Sequence, residues 1–399
     1  MHWSKQVIAL KAQSRTVQIF DLAAKAKLKS AVMNEDVVFW KWFSETSLGL
    51  VTDSSVYHWN VFDPTQNSPV KMFDRNQNLA VCRAVLDKEN QQANNFFPQG
   101  CQIINYRVND DEKWSVLVGI SQKEGRVAGT MQLWSRDRGL SQHIEGHAAA
   151  FGTLRVDGQP AEYKLFTFAV RTAAGAKLHV VEIDPNQANQ RFPKKAVDVY
   201  FPAEATNDFP VAMQISKKYS IIYMITKYGF IHLYDLETGT CIFMNRISSE
   251  TIFITAPDSE SAGIVGVNRK GQVLAVSVDE NTIINYLLQN PANSGLAVKL
   301  ASRAGLPGAD ELYRNQFEQL LAQGNYPEAA KIAANSPRGF LRTPETINRF
   351  KNAGQAGGQM SVILQYFGLL LDKGSLNKYE SVELIRPVLQ QNRKHLLDK

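Results

Sequence analysis

The stretch ITKYGFIHLYDLETGTCIF, residues 225–243, decides the fold class of this chain. Its apolar and β-branched segments are separated by two short turn sequences, KYG and ETGT, so the stretch predicts three antiparallel strands in succession. The arrangement recurs along the chain, with marker strands centred near Phe20, Trp59, Trp134, Val181, Tyr234 and Val276. A β repeat with a period of roughly 40–55 residues is typical of a β-propeller.

The number of strands in each repeat predicts how the blades are built. Residues 209–250 contain four predicted strands joined by short turns, which is one antiparallel blade. Residues 251–286 are also predicted to contain four, the last of them at 282–286, whereas the first repeat, residues 7–33, contains three. We therefore expect a β-propeller in residues 1–290. The innermost strand of its first blade and at least one further blade are expected upstream of the first residue.

The pattern changes after about residue 290, where apolar residues recur at helical spacing. Gly305 and Gly324 stand where C-terminal caps are expected, and Pro327 suits the first turn of a helix. Short helix pairs that cannot bury a face alone stack into solenoids, so residues 291–399 are predicted to form an α-solenoid of helix hairpins. The predicted helices lie at 295–304, 311–321, 326–334, 361–371 and 379–397.

Residues 81–100, VCRAVLDKENQQANNFFPQG, fit neither pattern. They are mostly polar, rich in Asn and Gln, and lack a hydrophobic period. They also separate two predicted strands, at 70–74 and 101–106. We expect them to form an insertion loop.

Composition and charge argue against several classes of function. The 44 basic and 38 acidic residues give a formal net charge of +6 that is spread along the chain, whereas nucleic-acid-binding proteins concentrate their basic residues. The three cysteines, Cys82, Cys101 and Cys241, form no C-x-x-C, which argues against disulfides or a zinc site and for a reducing compartment. No secretory signal and no run of 18 apolar residues is visible. We expect a soluble cytoplasmic protein with no nucleic-acid partner.

The sequence gives little support to an enzyme. Its seven histidines, among which His58 and His232 are expected to pack within strands, form no H-E-x-x-H and no clustered ligand set. No phosphate-binding glycine loop opens a helix after a strand, and no G-x-S-x-G occurs. We expect no catalytic residue, no metal and no cofactor.

Residues 16–20, TVQIF, are the best candidate for binding chemistry. Strand alternation places Val17 and Ile19 on one face and Phe20, with a hydroxyl and an amide, on the other. Lys25 and Lys27 follow. An apolar pocket rimmed by ammonium groups suits an extended peptide with apolar anchors and an acidic residue. The alternative from these residues alone is that Phe20 packs between blades and the lysines are solvated.

Stretches spread over nearly the whole chain carry a resemblance to a known family. They are VVFWKW (37–42), PVKMFDR (69–75), CQIINYR (101–107), IEGHA (144–148), FPKKAVDV (192–199), NDFPVAMQIS (207–216), residues 225–247, QGNY (323–326), LRTP (341–344), LQYFG (364–368) and LNKYES (376–381). They resemble the N-terminal propeller and the start of the helical linker of the clathrin heavy chain family. The resemblance implies a seven-bladed propeller, truncated here at its N-terminus to about five and a half blades. It also implies that the family sequence continues beyond both ends of this chain and that residues 81–100 are a 20-residue insertion.

The resemblance implies a structural protein of clathrin-coated pits and vesicles, at their cytoplasmic face, in receptor-mediated endocytosis and intracellular vesicle transport. The implied partners are adaptor complexes and accessory proteins, with membrane contact only through the adaptors, and other clathrin chains. The family's trimerisation and light-chain-binding regions lie outside the matched part. The alternative is a generic propeller–solenoid scaffold of another coat or of a pore assembly.

The resemblance also implies sites for short linear motifs. In the clathrin heavy chain family the groove between the first two blades accepts Leu-φ-x-φ-Asp/Glu peptides, where φ is apolar, and part of it belongs to the blade expected upstream. The matching residues here are Ile8, Thr16, Gln18, Phe20, Lys25 and Lys27.

Two further peptide sites of the family carry over to this sequence. A pocket at the top centre of the propeller would use Gln102, Ile104 and Ile120, and a side groove between later blades would use Trp114, Leu133, Arg138 and Gln142. The alternative for both sites is that the apolar members are core residues and that Arg138 is a surface charge.

Overall fold

The structure, a computed structural model, describes residues 6–76, 79, 101–123, 125–156, 159–353, 361–372, 374 and 376–390. The predicted insertion loop at 81–100 lies outside the described residues. The chain divides into two compact units, Met1–Val276 and Ser277–Lys399. The sequence analysis predicts this boundary later, after residue 290.

The first unit consists of six antiparallel sheets in the described residues. Blade 1 contains β1 (Val7–Gln13), β2 (Thr16–Asp21) and β3 (Ala26–Val32), and blade 2 contains β4 (Val37–Trp42), β5 (Ser47–Thr52), β6 (Ser55–Asn60) and β7 (Val70–Asp74). Blade 3 contains β8 (Gln102–Val108), β9 (Trp114–Lys123), β10 (Arg126–Ser135) and β11 (Leu140–Glu145), and blade 4 contains β12 (Ala148–Leu154), β13 (Tyr163–Thr172), β14 (Gly175–Glu182) and β15 (Lys195–Asp198). Blade 5 contains β16 (Pro210–Ser216), β17 (Ile221–Thr226), β18 (Phe230–Asp235) and β19 (Cys241–Arg246), and blade 6 contains β20 (Ile252–Asp258), β21 (Gly263–Asn268) and β22 (Val273–Val276).

Neighbouring sheets meet through their first strands. Strand β8 contacts β4 and β12, and β16 contacts β12 and β20. The first strand of each of these blades is therefore the innermost, which is the arrangement of a β-propeller. The described residues form six blades, and the seven-bladed type remains a prediction.

The stretch that opened the sequence analysis folds as predicted. It contains the end of β17, all of β18 and the start of β19 in blade 5, and every residue of β17 is buried. The turn after β17 requires Gly229, because its φ is +82° and a Cβ atom there would clash with the carbonyl of Ser248. The turn after β18 is closed by Asp235, whose Oδ2 accepts the N–H of Thr238 at 2.8 Å.

The predicted fourth strand of blade 6 is wrong. Blade 6 has three strands in the described residues, and residues 283–286 belong instead to α1 (Ile283–Leu288), with Thr282 as its N-cap. Asp279 starts this helix, because its Oδ2 accepts the hydroxyl of Thr282 at 2.9 Å and its carbonyl accepts the N–H of Ile283 at 3.0 Å. A short apolar run fits a strand or a buried helix equally well, so its periodicity could not separate the two.

The cores of the propeller lie between adjacent blades. Val17 and Ile19 of blade 1 are fully buried against Leu50 and Trp59 of blade 2. Burying each such aliphatic side chain stabilises the fold by about 1.5–3 kcal/mol. The alternation predicted for residues 16–20 is therefore confirmed for the inward face.

The second unit is helical in its described residues. The helices after α1 are α2 (Ser294–Ala304), α3 (Asp310–Ala322), α4 (Tyr326–Asn335), α5 (Pro344–Asn352), α6 (Val362–Asp372) and α7 (Lys378–Gln390). Helix α2 ends at the left-handed Gly305, Gly324 follows α3 with φ +70°, and Pro327 lies in the first turn of α4, all as predicted. Helices α3 and α4 pack together, and so do α4 and α6, and α5 and α6, whereas the solenoid itself remains a prediction. The sequence analysis missed α5, although Thr343 caps it before a proline.

Among the described residues, no helix is long and apolar enough to cross a membrane.

Candidate functional site

The outward face of blade 1 brings together several of the predicted site residues. In the strand register, Phe20 of β2 lies opposite Ile8 of β1 and opposite Lys27 of β3. Gln18 and Thr16 lie on the same face as Phe20, since Val17 and Ile19 point into the core between blades 1 and 2. Ile8, Phe20, Gln18 and Thr16 are all half-buried, and Lys27 is exposed.

A β-bulge sets the direction of Lys27. The ladder pairs Ile19 with Lys29 and then Phe20 with Lys27, so Leu28 is left over between them. Without this extra residue Leu28 would lie opposite Phe20. The bulge thus puts an ammonium group, rather than an aliphatic side chain, beside the aromatic ring.

Lys25 is held in the turn between β2 and β3. The turn is fixed by Asp21, whose Oδ1 accepts the N–H groups of Ala23 and Ala24 at 2.9 Å each. Lys25 itself has φ +50°, the left-handed conformation that favours glycine. Lys25 and Lys27 are exposed, and neither has an ion-pair partner within the described residues.

Two other lysines near this face are already used for structure. Lys11 donates to the carbonyl of Val37 at 3.1 Å, and Lys29 donates to the carbonyls of Asp63 and Gln66 at 2.5 and 2.9 Å. Both lie opposite the inward residues, Lys11 opposite Val17 and Lys29 opposite Ile19. They connect blade 1 to blade 2. Of these four lysines, Lys25 and Lys27 therefore stay available to a ligand.

The same face carries two apolar side chains that the sequence analysis did not select. Leu10 lies opposite Gln18 and is 45% exposed, and Val32 lies opposite Thr16 and is 75% exposed. Leu10 stands two residues after Ile8, so strand alternation alone would have found it. Together with Phe20 these side chains form an exposed apolar strip beside two unpaired cations. Such a strip fits an extended peptide that carries apolar side chains and a carboxylate.

The predicted central pocket is assembled only in part. Gln102 of β8 lies opposite Ile120 of β9, so the structure brings these two residues together. Ile104 sits at a bulge in β8 between Ile103 and Asn105. Its side chain is partly buried against the hydrophobic core of blades 3 and 4.

The predicted side groove combines two buried core residues with two exposed polar residues. Trp114 and Leu133 are only 7% and 4% exposed and belong to one hydrophobic cluster. Arg138 lies over the ring of Trp114, 5.7 Å from its centroid, and Gln142 is opposite Leu133 on the neighbouring strand. The sequence analysis missed Asp184, whose Oδ2 accepts the indole N–H of Trp114 at 2.7 Å and whose Oδ1 lies 3.8 Å from Arg138. Asp184 therefore contacts both the Trp114 ring and the Arg138 guanidinium.

Two of the buried histidines, His58 and His232, lie within strands. His58 in β6 is within 2.7 Å of the Tyr106 hydroxyl, and burial lowers its pKa to about 4, with a further contribution from Arg136. His232 in β18 is 1% exposed, and burial lowers its pKa to about 4. The prediction that both histidines pack within strands is confirmed.

Comparison with known sequences identifies relatives along the full length of the chain. The family model described as "Clathrin propeller repeat" matches residues 202–237 and 245–279, and the one described as "Clathrin-H-link" matches residues 305–370.

The chain is 51% identical over 399 residues to "Probable clathrin heavy chain" of Schizosaccharomyces pombe. It is 54% identical over 404 residues to "Clathrin heavy chain" of Drosophila melanogaster and 51% identical over 400 residues to "Clathrin heavy chain 2" of Homo sapiens. Each alignment covers 100% of this chain and 23% of the relative. The six propeller blades, the helices that follow them and this level of identity agree: the chain belongs to the clathrin heavy chain family.

Proposed function

We propose that this chain is the peptide-receiving part of a structural protein of clathrin coats. Its propeller takes up short acidic-apolar motifs from adaptor and accessory proteins, and the helices continue toward the rest of the coat. It acts on the cytoplasmic face of coated pits and vesicles in endocytosis and vesicle transport, reaches membranes only through its adaptors, and performs no catalysis. Because the chain spans 23% of the length of these relatives, the role concerns this part alone.

The observation that carries the proposal is the cross-strand row formed by Ile8, Phe20 and Lys27. An aliphatic group, an aromatic ring and an ammonium group lie side by side on one face of blade 1. An extended peptide repeats its side chains every second residue, so apolar residues can rest on Ile8, Leu10 and Phe20 while a terminal carboxylate meets a lysine. Gln18 and Thr16 offer hydrogen bonds to the peptide backbone.

The surroundings of the two lysines favour an acidic ligand. Lys25 and Lys27 have no carboxylate partner in the described part of the chain, whereas Lys71, Lys113, Lys164, Lys177 and Lys217 all pair with aspartates. An exposed charge pair contributes little, about 0.2–1 kcal/mol, so each peptide binds weakly. A coat that presents many copies of such a face gains its hold on adaptors through avidity.

The other two predicted sites are proposed as secondary peptide sites. Gln102 and Ile120 offer a polar and an apolar contact beside the innermost strand of blade 3. Arg138 and Gln142 offer polar contacts above the buried Trp114 and Leu133. Neither has the exposed apolar strip of blade 1, so we expect them to bind more weakly.

Fluorescence anisotropy with a labelled Leu-Leu-Ser-Leu-Asp peptide tests the blade 1 assignment. Phe20→Ala should weaken binding by about tenfold, because it removes the aromatic contact of the row. Lys27→Glu should weaken it by a similar factor, because the charge reversal removes an attraction and adds a repulsion of similar size. Lys194→Glu is the matched control, since it makes the same charge change at an exposed position before β15. It should change the affinity by less than about twofold.

Two results would reject the assignment. One is undiminished affinity of both blade 1 variants, which would place the peptide elsewhere. The other is an absence of binding to a chain whose thermal transition shows that it is folded. A peptide in which Asn replaces the final Asp should lose affinity on the native chain and much less on Lys27→Glu.

A further inference from the structure

A cavity of about 540 Å³ lies between blades 2 and 3. Blade 2 lines it with His58 of β6 and with Val70 and Met72 of β7, the outermost strand of that blade. Blade 3 lines it with Glu112, in the turn between β8 and β9, and with Arg136, in the turn between β10 and β11. None of the predicted peptide-site residues lines it, so this cavity is separate from the three sites discussed above.

Neighbouring residues in the two turns of blade 3 differ in how their charges are paired. The backbone N–H of Arg136 donates to the carbonyl of Lys113 at 2.8 Å, so the two turns lie side by side. The ammonium group of Lys113 pairs with the carboxylate of Asp137 at 2.8 Å. The side chains of Glu112 and Arg136 have no ion-pair or hydrogen-bond partner within the described residues. Each turn therefore carries one paired charge next to one that is unpaired.

Both unpaired groups lie close to His58. Burial lowers the pKa of His58 to about 4, with a further contribution from the positive charge of Arg136. Burial raises the pKa of Tyr106, and the negative charge of Glu112 adds to this rise. Since the Tyr106 hydroxyl is 2.7 Å from the Nε2 atom of His58, both charged groups lie near the His58 ring, which itself lines the cavity. Arg136 is exposed and Glu112 is half-exposed, so a ligand can reach both.

A second carboxylate of the lining, that of Asp63, is already engaged. Its Oδ1 accepts the backbone N–H and the hydroxyl of Thr65 at 2.8 and 2.6 Å. Lys29 donates to the backbone carbonyl of Asp63 at 2.5 Å, which places a cation beside this residue. Of the ionised side chains in the described lining, Glu112 and Arg136 therefore stay available to a ligand.

Two side-chain amides of the lining have donors that are not used. The Oδ1 atom of Asn60 accepts the N–H groups of Phe62 and Asp63 at 3.2 and 3.1 Å. The Oε1 atom of Gln66 accepts the N–H of Asn60. These bonds orient both amides, and their NH2 groups have no hydrogen-bond partner in the part of the chain that the structure describes. An amide NH2 group can donate to the carbonyl oxygens of a peptide backbone.

We propose that the cavity between blades 2 and 3 binds an extended peptide segment that carries a basic and an acidic side chain two residues apart. Such side chains project to the same side of an extended backbone, so one can pair with Glu112 and the other with Arg136. The backbone carbonyls of the segment accept from the amides of Asn60 and Gln66. Val70 is 51% exposed and offers an apolar contact to an aliphatic side chain. This charge pattern differs from the acidic-apolar motif proposed for blade 1, so the cavity takes a different class of segment.

Methyl NMR of the full chain with labelled methionines tests the proposal. Met72 is the reporter because it lines the cavity, and Met213 is the reference because it is fully buried in the core between blades 4 and 5. The probe is the peptide acetyl-Gly-Lys-Val-Glu-Gly-amide, whose blocked ends leave two opposite charges. It should shift the Met72 signal in a saturable way and leave the Met213 signal in place.

Replacing one charge of the probe tests each contact on the native chain. Peptides with Gln in place of Lys, or Gln in place of Glu, should each bind about two- to fivefold more weakly, because each loses one exposed charge pair. Glu112→Gln should abolish the preference for Lys over Gln and keep the preference for Glu. Arg136→Gln should do the reverse.

Lys113→Gln and Asp137→Asn are the matched controls, since they remove the paired charges next to Arg136 and Glu112 in the same two turns. Both controls should keep both preferences. The proposal is overturned if the native chain binds the three peptides equally, or if Met72 does not respond to any of them. It is also overturned if folded Glu112→Gln and Arg136→Gln variants keep both preferences of the native chain.

Discussion

Blades 1 and 5 contain strands at equivalent positions, β2 and β18, that are packed differently. In β2 the sequence TVQIFD is followed after a turn by Lys27, and in β18 the sequence FIHLYD is followed after a turn of the same length by Cys241. Phe20 pairs with Lys27 as Tyr234 pairs with Cys241, and both ladders have a bulge at the next residue, Leu28 or Ile242. The backbone plan is therefore common to the two blades.

The two strands differ in how their second face is covered. All six residues of β18 are buried, and on its second face His232 stacks parallel to Tyr234 and contacts Phe201. In β2 only Val17 and Ile19 are buried, and the face of Phe20 stays half-open. One strand design thus yields core where both faces are packed and a half-exposed face where one is left open.

The largest expected effect separates these two aromatic residues. Tyr234→Ala should reduce the free energy of unfolding by about 3–5 kcal/mol, because it opens a cavity in a fully packed core. Phe20→Ala should reduce it by less than about 1.5 kcal/mol, because the ring is half-exposed. Urea unfolding of the two variants measures the difference, and equal losses would mean that blade 1 is packed as blade 5 is.

The loss of stability at acid pH should depend on His232, which lies on the covered face of blade 5. The pKa of His232 is about 4 in the folded chain against an ordinary value of 6.5, so between these values the unfolded chain holds the additional proton. Stability therefore falls as the pH drops from 6.5 toward 4, and this residue accounts for about 2 kcal/mol of that loss by pH 5.

His232→Phe should make the free energy of unfolding depend less steeply on pH. Gln18→Phe, at the equivalent position of blade 1, should leave this slope unchanged. Urea unfolding at pH 7 and pH 5 gives both slopes. An identical slope for native chain and His232→Phe would show that the histidine is not buried in its neutral form.

The smallest effect concerns the turns that follow these strands. Lys25 occupies in blade 1 the left-handed position that Gly239 occupies in blade 5, with φ +50° and +75°. Gly239→Lys should destabilise the chain by about 1–2 kcal/mol, since it adds left-handed strain and a Cβ atom 2.9 Å from Val197. Lys25→Gly should stabilise it by up to about 1 kcal/mol and weaken peptide binding. If Lys25→Gly instead destabilises the chain, the lysine serves the fold rather than a ligand.

The features of the fold and of the candidate site that follow from strand alternation could be predicted from the sequence. Val17 and Ile19 were assigned to the core and Phe20 to the opposite face because side chains alternate strictly along a strand. The same rule applied to β1 would also have found Leu10. The bulge at Leu28 could not be foreseen, because an extra residue in the ladder leaves no mark in hydrophobic periodicity.

Contacts between blades escaped the sequence analysis for a different reason. Lys11 and Lys29 lie close to Lys25 and Lys27 in sequence, yet they donate to carbonyls of blade 2 or of the loop within it. Asp184 lies far from Trp114 in sequence, and Arg107 of blade 3 donates to the Met213 carbonyl of blade 5. Such pairs depend on how blades are placed around the axis, and a single sequence does not specify that geometry.

The most direct test of the open face is photo-crosslinking followed by peptide mapping. A Leu-Leu-Ser-Leu-Asp peptide with photo-leucine at its first position should label residues 7–32 of the native chain, and labelling should decline in Phe20→Ala. Labelling of blade 5 should be absent, since the equivalent face there is buried. Crosslinks that concentrate on blades 3 and 4 or on the helices, with residues 7–32 unlabelled, would contradict the account.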